Sequence, residues 1–404
     1  MGLSHVVARI ASRHAHALVV EVPGSWRTRT AAERALVARG WQLALAPADA
    51  DVLVVCGDPG PRIAEAVEVV WQQMPGPRVR VSVREYDELA ARLDEAHAGL
   101  LDTDHHRHDA QHRPTASELL AGRADDGGEG HDRHGEMSHD GEDHEQMDHG
   151  PGGHGGDDHG GHEGHGGNDH GGHEGHEGRG DMDMSPGGIP LAEGGEDRDG
   201  LEMDVLNVRL GPVLPHWPAG LLLHCSLQGD VIVEARAELV DGAAGQVDDV
   251  PGPARCMDNV VSLLALAGWD AAAAEARIIR DATLDHGGQD KARLDRLRRK
   301  VRRSVLLRQS LRGVRSLSEE DIHRQGLPAG ATGDTYDRLV GMLDRAAADD
   351  TGERPARDGD TGLRTDHLAR LVTGLDLATA RLVVASLDTH ALRAGHADHG
   401  ASHG

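Results

Sequence analysis

Histidine recurs at short intervals through the middle of this 404-residue chain, in a stretch made mostly of Gly, Asp and Glu. Imidazole nitrogen is a common ligand of Ni, Cu and Zn ions, and Gly lets the backbone wrap successive ligands around one ion. Carboxylates such as Asp157, Asp158 and Glu163 are interleaved with the histidines. We expect the tract to bind several Ni or Zn ions weakly. The predicted metal ligands are His131, His134, His139, His144, His149, His154, His159, His162, His165, His170, His173 and His176.

The same tract cannot build a hydrophobic core, because residues 125–180 contain no Leu, Ile, Val or aromatic side chain. A segment without apolar residues gains too little from burial to offset the entropy lost on ordering. We therefore predict a disordered linker over residues 104–198 and a disordered, histidine-containing tail over 391–404. A tract of this composition can also be only a soluble tether, so both interpretations stay open.

Ordinary apolar patterning on either side of the linker predicts two folded domains, residues 1–103 and 199–390. The formal net charge of −26 argues against nonspecific binding to nucleic acid. The chain has no run of eighteen apolar residues and no signal-peptide pattern at its start. We therefore expect a cytoplasmic location, with membrane contact only through a partner. Three widely separated cysteines, Cys56, Cys225 and Cys256, specify neither a disulfide framework nor a thiolate cluster.

The first domain alternates short Val/Leu runs with helical patterns, which predicts an α/β fold with a parallel sheet. The segment Cys56–Gly60 follows a buried strand, at the position where open α/β sheets usually bind ligands; a tight turn is the competing interpretation. The predicted strands are 17–22, 41–46, 51–56 and 79–83, and the predicted helices are 30–39 and 62–74.

The pattern of the second domain predicts an α+β fold, with a small antiparallel sheet followed by a helical bundle. Gly229 and Asp230 lie in the predicted hairpin turn between its last two strands. One predicted helix, 290–312, begins a run (290–315) with eleven basic and two acidic residues. This run is either a solvated face or a docking surface, whose acidic counterpart would be the histidine tract of this chain or a partner subunit. The predicted strands are 204–210, 221–227 and 231–238, and the other predicted helices are 257–268, 271–284, 335–347, 366–373 and 376–387.

Two stretches of the first domain carry a family resemblance. The strand Ala-Asp-Val-Leu-Val-Val-Cys-Gly (50–57) and the segment Val-Trp-Gln-Gln-Met-Pro-Gly-Pro-Arg-Val (70–79) resemble the iron-sulphur small subunit shared by NADH:quinone oxidoreductase and the [NiFe] hydrogenases. The resemblance covers residues 17–83. That family places cysteines after its first strand, where this chain has Pro23–Arg27, and again after the strand that ends here at Arg84. The resemblance therefore implies the fold without a [4Fe–4S] cluster.

The second domain resembles the partner large subunit of the same enzymes. The matching segments are Leu-Asn-Val-Arg-Leu-Gly-Pro-Val-Leu-Pro (206–215), the hairpin around Gly229, Ala-Arg-Ile-Ile-Arg (276–280) and residues 312–321. They follow the family's order across residues 204–332. The hydrogenase subunit binds nickel and iron through two C-x-x-C pairs, which this chain lacks.

In the quinone-reducing relative, a histidine in the 206–215 region reaches the quinone together with a tyrosine. Leu214 takes that position here, His216 lies nearby, and the two tyrosines are Tyr86 and Tyr336. His216 is therefore the candidate quinone-binding residue.

These observations lead to three functional hypotheses. The first is a non-catalytic accessory, assembly or structural component of an NADH:quinone oxidoreductase-like or [NiFe] hydrogenase-like complex, with that complex's subunits as partners and no catalytic residue of its own. The second is a protein that buffers or delivers Ni or Zn. The third retains quinone-linked oxidoreductase activity. The first also predicts that the two domains pack together as the two subunits of those enzymes do, around the loops 56–61 and 211–220.

Overall fold

The first domain forms a four-stranded parallel sheet in the order β2-β1-β3-β4. The computed structural model describes Arg9 and residues 12–113, 193–196, 202–242, 250–286, 290–348, 362–390 and 392–395. All five residues of the central strand β3 are buried, because helices and the second domain cover both faces of the sheet. The elements are β1 (His16–Glu21), α1 (Trp26–Ala38), β2 (Gln42–Leu43), β3 (Val52–Cys56), α2 (Pro61–Gln73), β4 (Val79–Val83), α3 (Leu89–Leu100) and α4 (Thr103–His112).

The second domain combines a four-stranded antiparallel sheet, β5-β6-β7-β8, with a group of helices. The hairpin turn at Gly229 and Asp230 is confirmed, and Gly229 adopts the left-handed φ of 61° that such a turn favours in glycine. The elements are β5 (Glu193–Glu196), β6 (Glu202–Leu210), β7 (Leu221–Gln228), β8 (Val231–Leu239), α5 (Gly252–Leu266), α6 (Asp270–His286), α7 (Lys291–Arg303), α8 (Val305–Leu311), α9 (Glu319–Gln325), α10 (Thr335–Ala347), α11 (Thr365–Val372) and α12 (Leu377–Ala385).

The described parts of the two domains belong to one compact unit. Leu222 and Val240 of the second domain pack into the same apolar cluster as Leu53 of β3 and Val67 of α2. The second domain has two further clusters of its own, one between its sheet and α11 and α12, and one among α5, α6, α7 and α10. The two domains therefore share a core.

Several predictions of secondary structure differ from the observed fold. The strand predicted over 41–46 contains only Gln42 and Leu43, the helix predicted from residue 30 begins at Trp26, and the helices α3 and α9 were not predicted. The single helix predicted over 290–312 breaks at Ser304, which ends α7 and caps α8 by accepting a hydrogen bond from the Leu307 amide (3.3 Å). Helix α4 and strand β5 lie inside the stretch that was predicted to be disordered, and residues 114–192 of that stretch lie outside the described residues. Helix α4 is ordered because Asp102 caps it and Asp109 pairs with the buried Arg78 (3.1 Å).

Two further parts of the predictions concern the C-terminal region. The predicted tail 391–404 includes four described residues, 392–395, and Arg393 forms an isolated parallel bridge with Arg364. The predicted end of the last helix at residue 387 is two residues too far, because Ser386 caps α12. The twelve predicted metal ligands all lie outside the described residues.

Candidate functional site: a cavity between the two domains

A cavity of about 180 Å³ opens where the two domains meet. The first domain supplies the end of β1, the Pro23–Gly24 turn and the first turns of α1. The second domain supplies the loop 212–219, part of α5 and the residues around His390. The cavity thus lies beside the loop after β1 and the loop 211–220. The latter is one of the two loops predicted to face the partner domain.

The other predicted loop, Cys56–Pro61, contributes to the interface in a different way. Gly57 has a φ of 106°, and a Cβ at this position would lie 2.2 Å from the Ser25 Oγ, so the turn requires glycine. At the end of the loop, Asp241 of the second domain accepts a hydrogen bond from the Ile63 amide (2.7 Å). Cys56 is fully buried, and burial raises its thiol pKa far above the usual range. The loop is therefore a tight turn that docks on Asp241, and Cys56 does not reach the cavity.

Asp258 on α5 is the centre of a buried network of charges at the base of the cavity. Its carboxylate accepts hydrogen bonds from the Trp26 indole (2.8 Å), from Arg29 (2.5 Å) and from Arg280 (2.7 Å). Two of these donors belong to α1 of the first domain and one to α6 of the second. Burial alone would raise the pKa of Asp258, but the two guanidinium groups outweigh burial and hold this pKa well below its usual range. Asp258 is therefore ionised and joins three elements from both domains.

Glu33 on α1 is the second shared acceptor of the network. It binds Arg29 (2.7 Å) from its own helix, and Arg280 (2.9 Å) and Arg277 (3.5 Å) from α6. Burial raises its pKa, but the attraction of Arg29 and Arg280 dominates and brings this pKa to about 2. Glu21, at the end of β1, binds Arg29 (2.7 Å), but here burial outweighs the attraction and raises the pKa of the Glu21 carboxyl. The guanidinium charges of the network are thus balanced by carboxylates from both domains.

Two histidines line the same cavity. His216 lies in the loop 211–220 with a φ of 57°, a left-handed conformation that is uncommon for a residue other than glycine. The neighbouring Trp217 indole donates to the Leu221 carbonyl (2.7 Å) and closes this loop. Burial lowers the pKa of His216 to about 4. Its ring is therefore neutral at physiological pH and can both donate and accept a hydrogen bond.

His390 follows α12 and packs its ring edge-on against Trp26, with centroids 6.0 Å apart. Its Nε2 lies 3.9 Å from the Asp258 carboxylate. Burial lowers the pKa of His390 more than Asp258 raises it. The cavity is therefore lined by two neutral imidazoles, His216 and His390, above a charge-balanced base, which suits a small neutral ligand with polar groups better than a free ion.

The sequence predicted only one of these cavity residues, His216, as a functional candidate. It gives no functional role to Arg29, Glu33, Asp258 or His390, and it marks Arg280 only as part of the family-like segment 276–280. A signal was present for Asp258, because it is a lone carboxylate among the apolar residues Met257, Val260 and Val261, all buried on α5. Charged residues on an apolar helix face usually have a buried partner.

Helix α4, at the edge of the histidine tract, carries His105, His106, His108 and His112. The rings of His108 and His112 lie one turn apart on the helix, with centroids 4.0 Å from each other. Within the described residues, no group of three or more His, Cys, Asp or Glu side chains is close enough to hold a metal ion.

Comparison of the chain with models of known protein families, with curated proteins and with solved structures gave no significant match. No helix in the part of the chain that the structure describes is both long and apolar enough to cross a bilayer.

Proposed function

We propose that this chain is a non-catalytic accessory, assembly or structural component of an NADH:quinone oxidoreductase-like or [NiFe] hydrogenase-like complex. The observation that supports this proposal most is the way in which its two domains meet. The loop after β1 stands where the small subunit has its cluster-binding loop, although it lacks the cysteines. This loop and the loop 211–220, which resembles a loop of the large subunit, line one cavity. In our proposal, this arrangement represents two subunits joined in one chain.

The residues at this cavity favour a structural role over electron transfer. None of the described residues that line the cavity is a cysteine, whereas iron-sulphur clusters are held chiefly by thiolates. The base of the cavity is instead occupied by Arg29, Glu33, Asp258 and Arg280. Buried charge networks contribute little net stability compared with apolar packing. They contribute specificity, because only one arrangement of the two surfaces pairs every buried charge. In our proposal the network keeps the two domains in one relative orientation.

The proposal is tested by deleting the gene in the organism of origin and measuring NADH:quinone and hydrogen:acceptor activities in cell extracts. We expect one of the two activities to fall on deletion. The wild-type gene and a variant with a weakened surface ion pair, Asp285→Asn, should restore it. Asp258→Ala, which removes the centre of the network, should restore it poorly. Unchanged activities in the deletion strain would refute the proposal.

A second candidate function is the buffering or delivery of Ni or Zn. The observation in its favour is the His108–His112 pair on α4, because two histidines one turn apart on a helix present both rings to one ion. This pair lies at the edge of the predicted metal-binding tract. If the same deletion strain recovers its activity when Ni or Zn is added to the medium, metal supply is the function. If added metal has no effect and the wild-type gene restores activity, the structural role is favoured.

A further inference from the structure

Helix α7 presents a stripe of arginines that have no counter-ion among the residues described by the structure. Arg296, Arg299 and Arg303 occupy positions i, i+3 and i+7, so they lie on one face of the helix. All three are exposed, and none has an ion-pair partner among the described residues. Other basic residues of α7 are paired; Arg298 and Arg302, for example, both bind Asp344 of α10 (2.5 and 2.7 Å). The unpaired arginines are therefore concentrated on one face.

These arginines form a shallow groove with an aromatic wall. Lys300 and Ser304 complete the groove on the α7 side, and Trp269 faces them from the turn before α6. The Lys300 ammonium lies 5.3 Å from the centre of the Trp269 ring, in a cation–π contact. None of these residues lines the cavity between the two domains. The groove is thus a second surface, separate from the site described above.

Two apolar side chains lie directly beside the arginine stripe. Val305 and Leu306 are 64% and 76% exposed, the highest values among the large hydrophobic residues that the structure describes. They begin α8, whose other face is anchored in the core by Leu307 and Leu311. Together they form a contiguous apolar patch beside charged residues, an arrangement typical of interaction sites.

The turn between α7 and α8 holds these two groups in place. Ser304 caps α8 through the Leu307 amide, and Arg308 donates a hydrogen bond to the Arg302 carbonyl (2.6 Å). Both contacts tie the first turn of α8 to the end of α7. The arginine stripe and the aliphatic pair are therefore presented together, without a separate ordering step on binding.

We infer that this surface, defined by Arg296, Arg299, Arg303, Val305 and Leu306, binds the face of an anionic lipid bilayer. Guanidinium groups attract lipid phosphates, aliphatic side chains enter the boundary between headgroups and acyl chains, and a Trp beside them is suited to the interface. An acidic protein surface would satisfy the arginines but would leave Val305 and Leu306 without an apolar environment. The net charge of −26 does not prevent binding, because charges more than about 10 Å away are largely screened at 0.1 M salt.

The test is sedimentation of the full-length protein with vesicles of phosphatidylcholine alone or with roughly one third phosphatidylglycerol. A chelator is present so that histidines cannot bridge to lipid through metal ions. We expect binding to the anionic vesicles only, with a marked decrease at 0.5 M salt. Each arginine is expected to contribute about fivefold, so R296Q/R299Q/R303Q should weaken binding by about a hundredfold. The double change V305S/L306S should weaken it by about tenfold or more.

Matched control variants separate this surface from general effects of charge and hydrophobicity. R84Q/R107Q/R324Q removes the same number of charges from exposed arginines that each have a carboxylate partner. Ile278→Ser removes an exposed aliphatic side chain from α6. Both controls should bind like the wild type.

Two results would overturn the inference. One is the absence of binding to anionic vesicles at low salt, or binding that the arginine-stripe variant does not weaken. The other is binding that depends on the arginines but is unchanged in V305S/L306S. The second result would indicate an acidic macromolecule, such as the acidic segment 114–192 of this chain, as the ligand of the groove.

Discussion

Removing the carboxylate of Asp258 should destabilise the protein far more than removing a carboxylate from the surface. Asp258→Ala deletes the acceptor shared by Arg29, Arg280 and the Trp26 indole. Arg280 is fully buried, so it cannot replace the lost partner with water. The variant therefore leaves two buried guanidinium groups with excess positive charge.

The expected cost follows from the partners that remain. Breaking a buried ion pair by removing one member usually costs about 3–5 kcal/mol. In the variant, Arg29 retains Glu21 and Glu33, and Arg280 retains Glu33 and Asp281. The free energy of unfolding should therefore fall by about 3 kcal/mol, the lower end of that range. With a urea dependence of about 3 kcal/mol/M for a protein of this size, the midpoint of unfolding should fall by about 1 M.

The control is a second ion pair that also joins the two domains. Arg34 on α1 pairs with Asp285 on α6, but both side chains are more than one-third exposed. Asp285→Asn should cost about 0–1 kcal/mol and shift the urea midpoint by at most about 0.3 M. Asp258→Asn keeps the side-chain volume but removes the negative charge. A loss of stability close to that of Asp258→Ala would therefore show that the charge, not the volume, causes the effect.

Urea unfolding followed by tryptophan fluorescence and far-ultraviolet circular dichroism measures these shifts. Trp26 donates to Asp258 and packs edge-on against His390, so its emission also reports on the interface. If Asp258→Ala and Asp285→Asn give midpoints within about 0.2 M of each other, the buried network does not hold the domains together and the reasoning is wrong.

Three other outcomes are expected. Because burial lowers the pKa of His216 to about 4, the folded state loses stability as the pH falls from 6.5 to about 4. His216→Asn should therefore lose less stability over this pH range than the wild type or the exposed-site control His323→Gln. Urea titrations at each pH measure the difference. Deletion of residues 125–180 should remove most of the Ni or Zn bound at neutral pH in calorimetry, and equal stoichiometry in both proteins would place the ligands elsewhere. Residues 1–113 and 192–404, co-expressed as separate chains, should co-elute in size-exclusion chromatography, whereas two non-associating chains would refute the two-subunit interpretation.

The layout of the sheets could be predicted because strand signals are local. Strand 79–83 was predicted to the residue, and the strands 51–56 and 221–227 to within one residue, since each is a short apolar run between turn residues. Helix ends were less accurate, as at Ser304, where the apolar spacing on either side gives no sign of the break. The capping serine decides that boundary, but serine also occurs inside helices that continue, so its presence alone does not predict the break.

The cavity could be predicted only in part, because its residues are far apart in the chain. Arg29 and Glu33 are an ordinary i, i+4 pair on an isolated helix and show no special role until α6 brings Arg280 beside them. His390 lies at the end of a helix, and only the tertiary fold places it against Trp26. Of the two loops predicted to meet, 211–220 lines the cavity, whereas 56–61 packs on Asp241 instead, and the family-like segments did not identify the charges between the domains.

Native electrophoresis of extracts from the organism of origin tests the proposed function most directly. The chain, tagged at its own chromosomal locus, is followed by immunoblot beside in-gel stains for NADH dehydrogenase and hydrogenase activity. We predict that it migrates with one of these activities, well above its own mass of 42.9 kDa, and that Asp258→Ala shifts it out of that band. Migration of the wild-type chain at its own mass, with both activity bands free of it, would contradict the account.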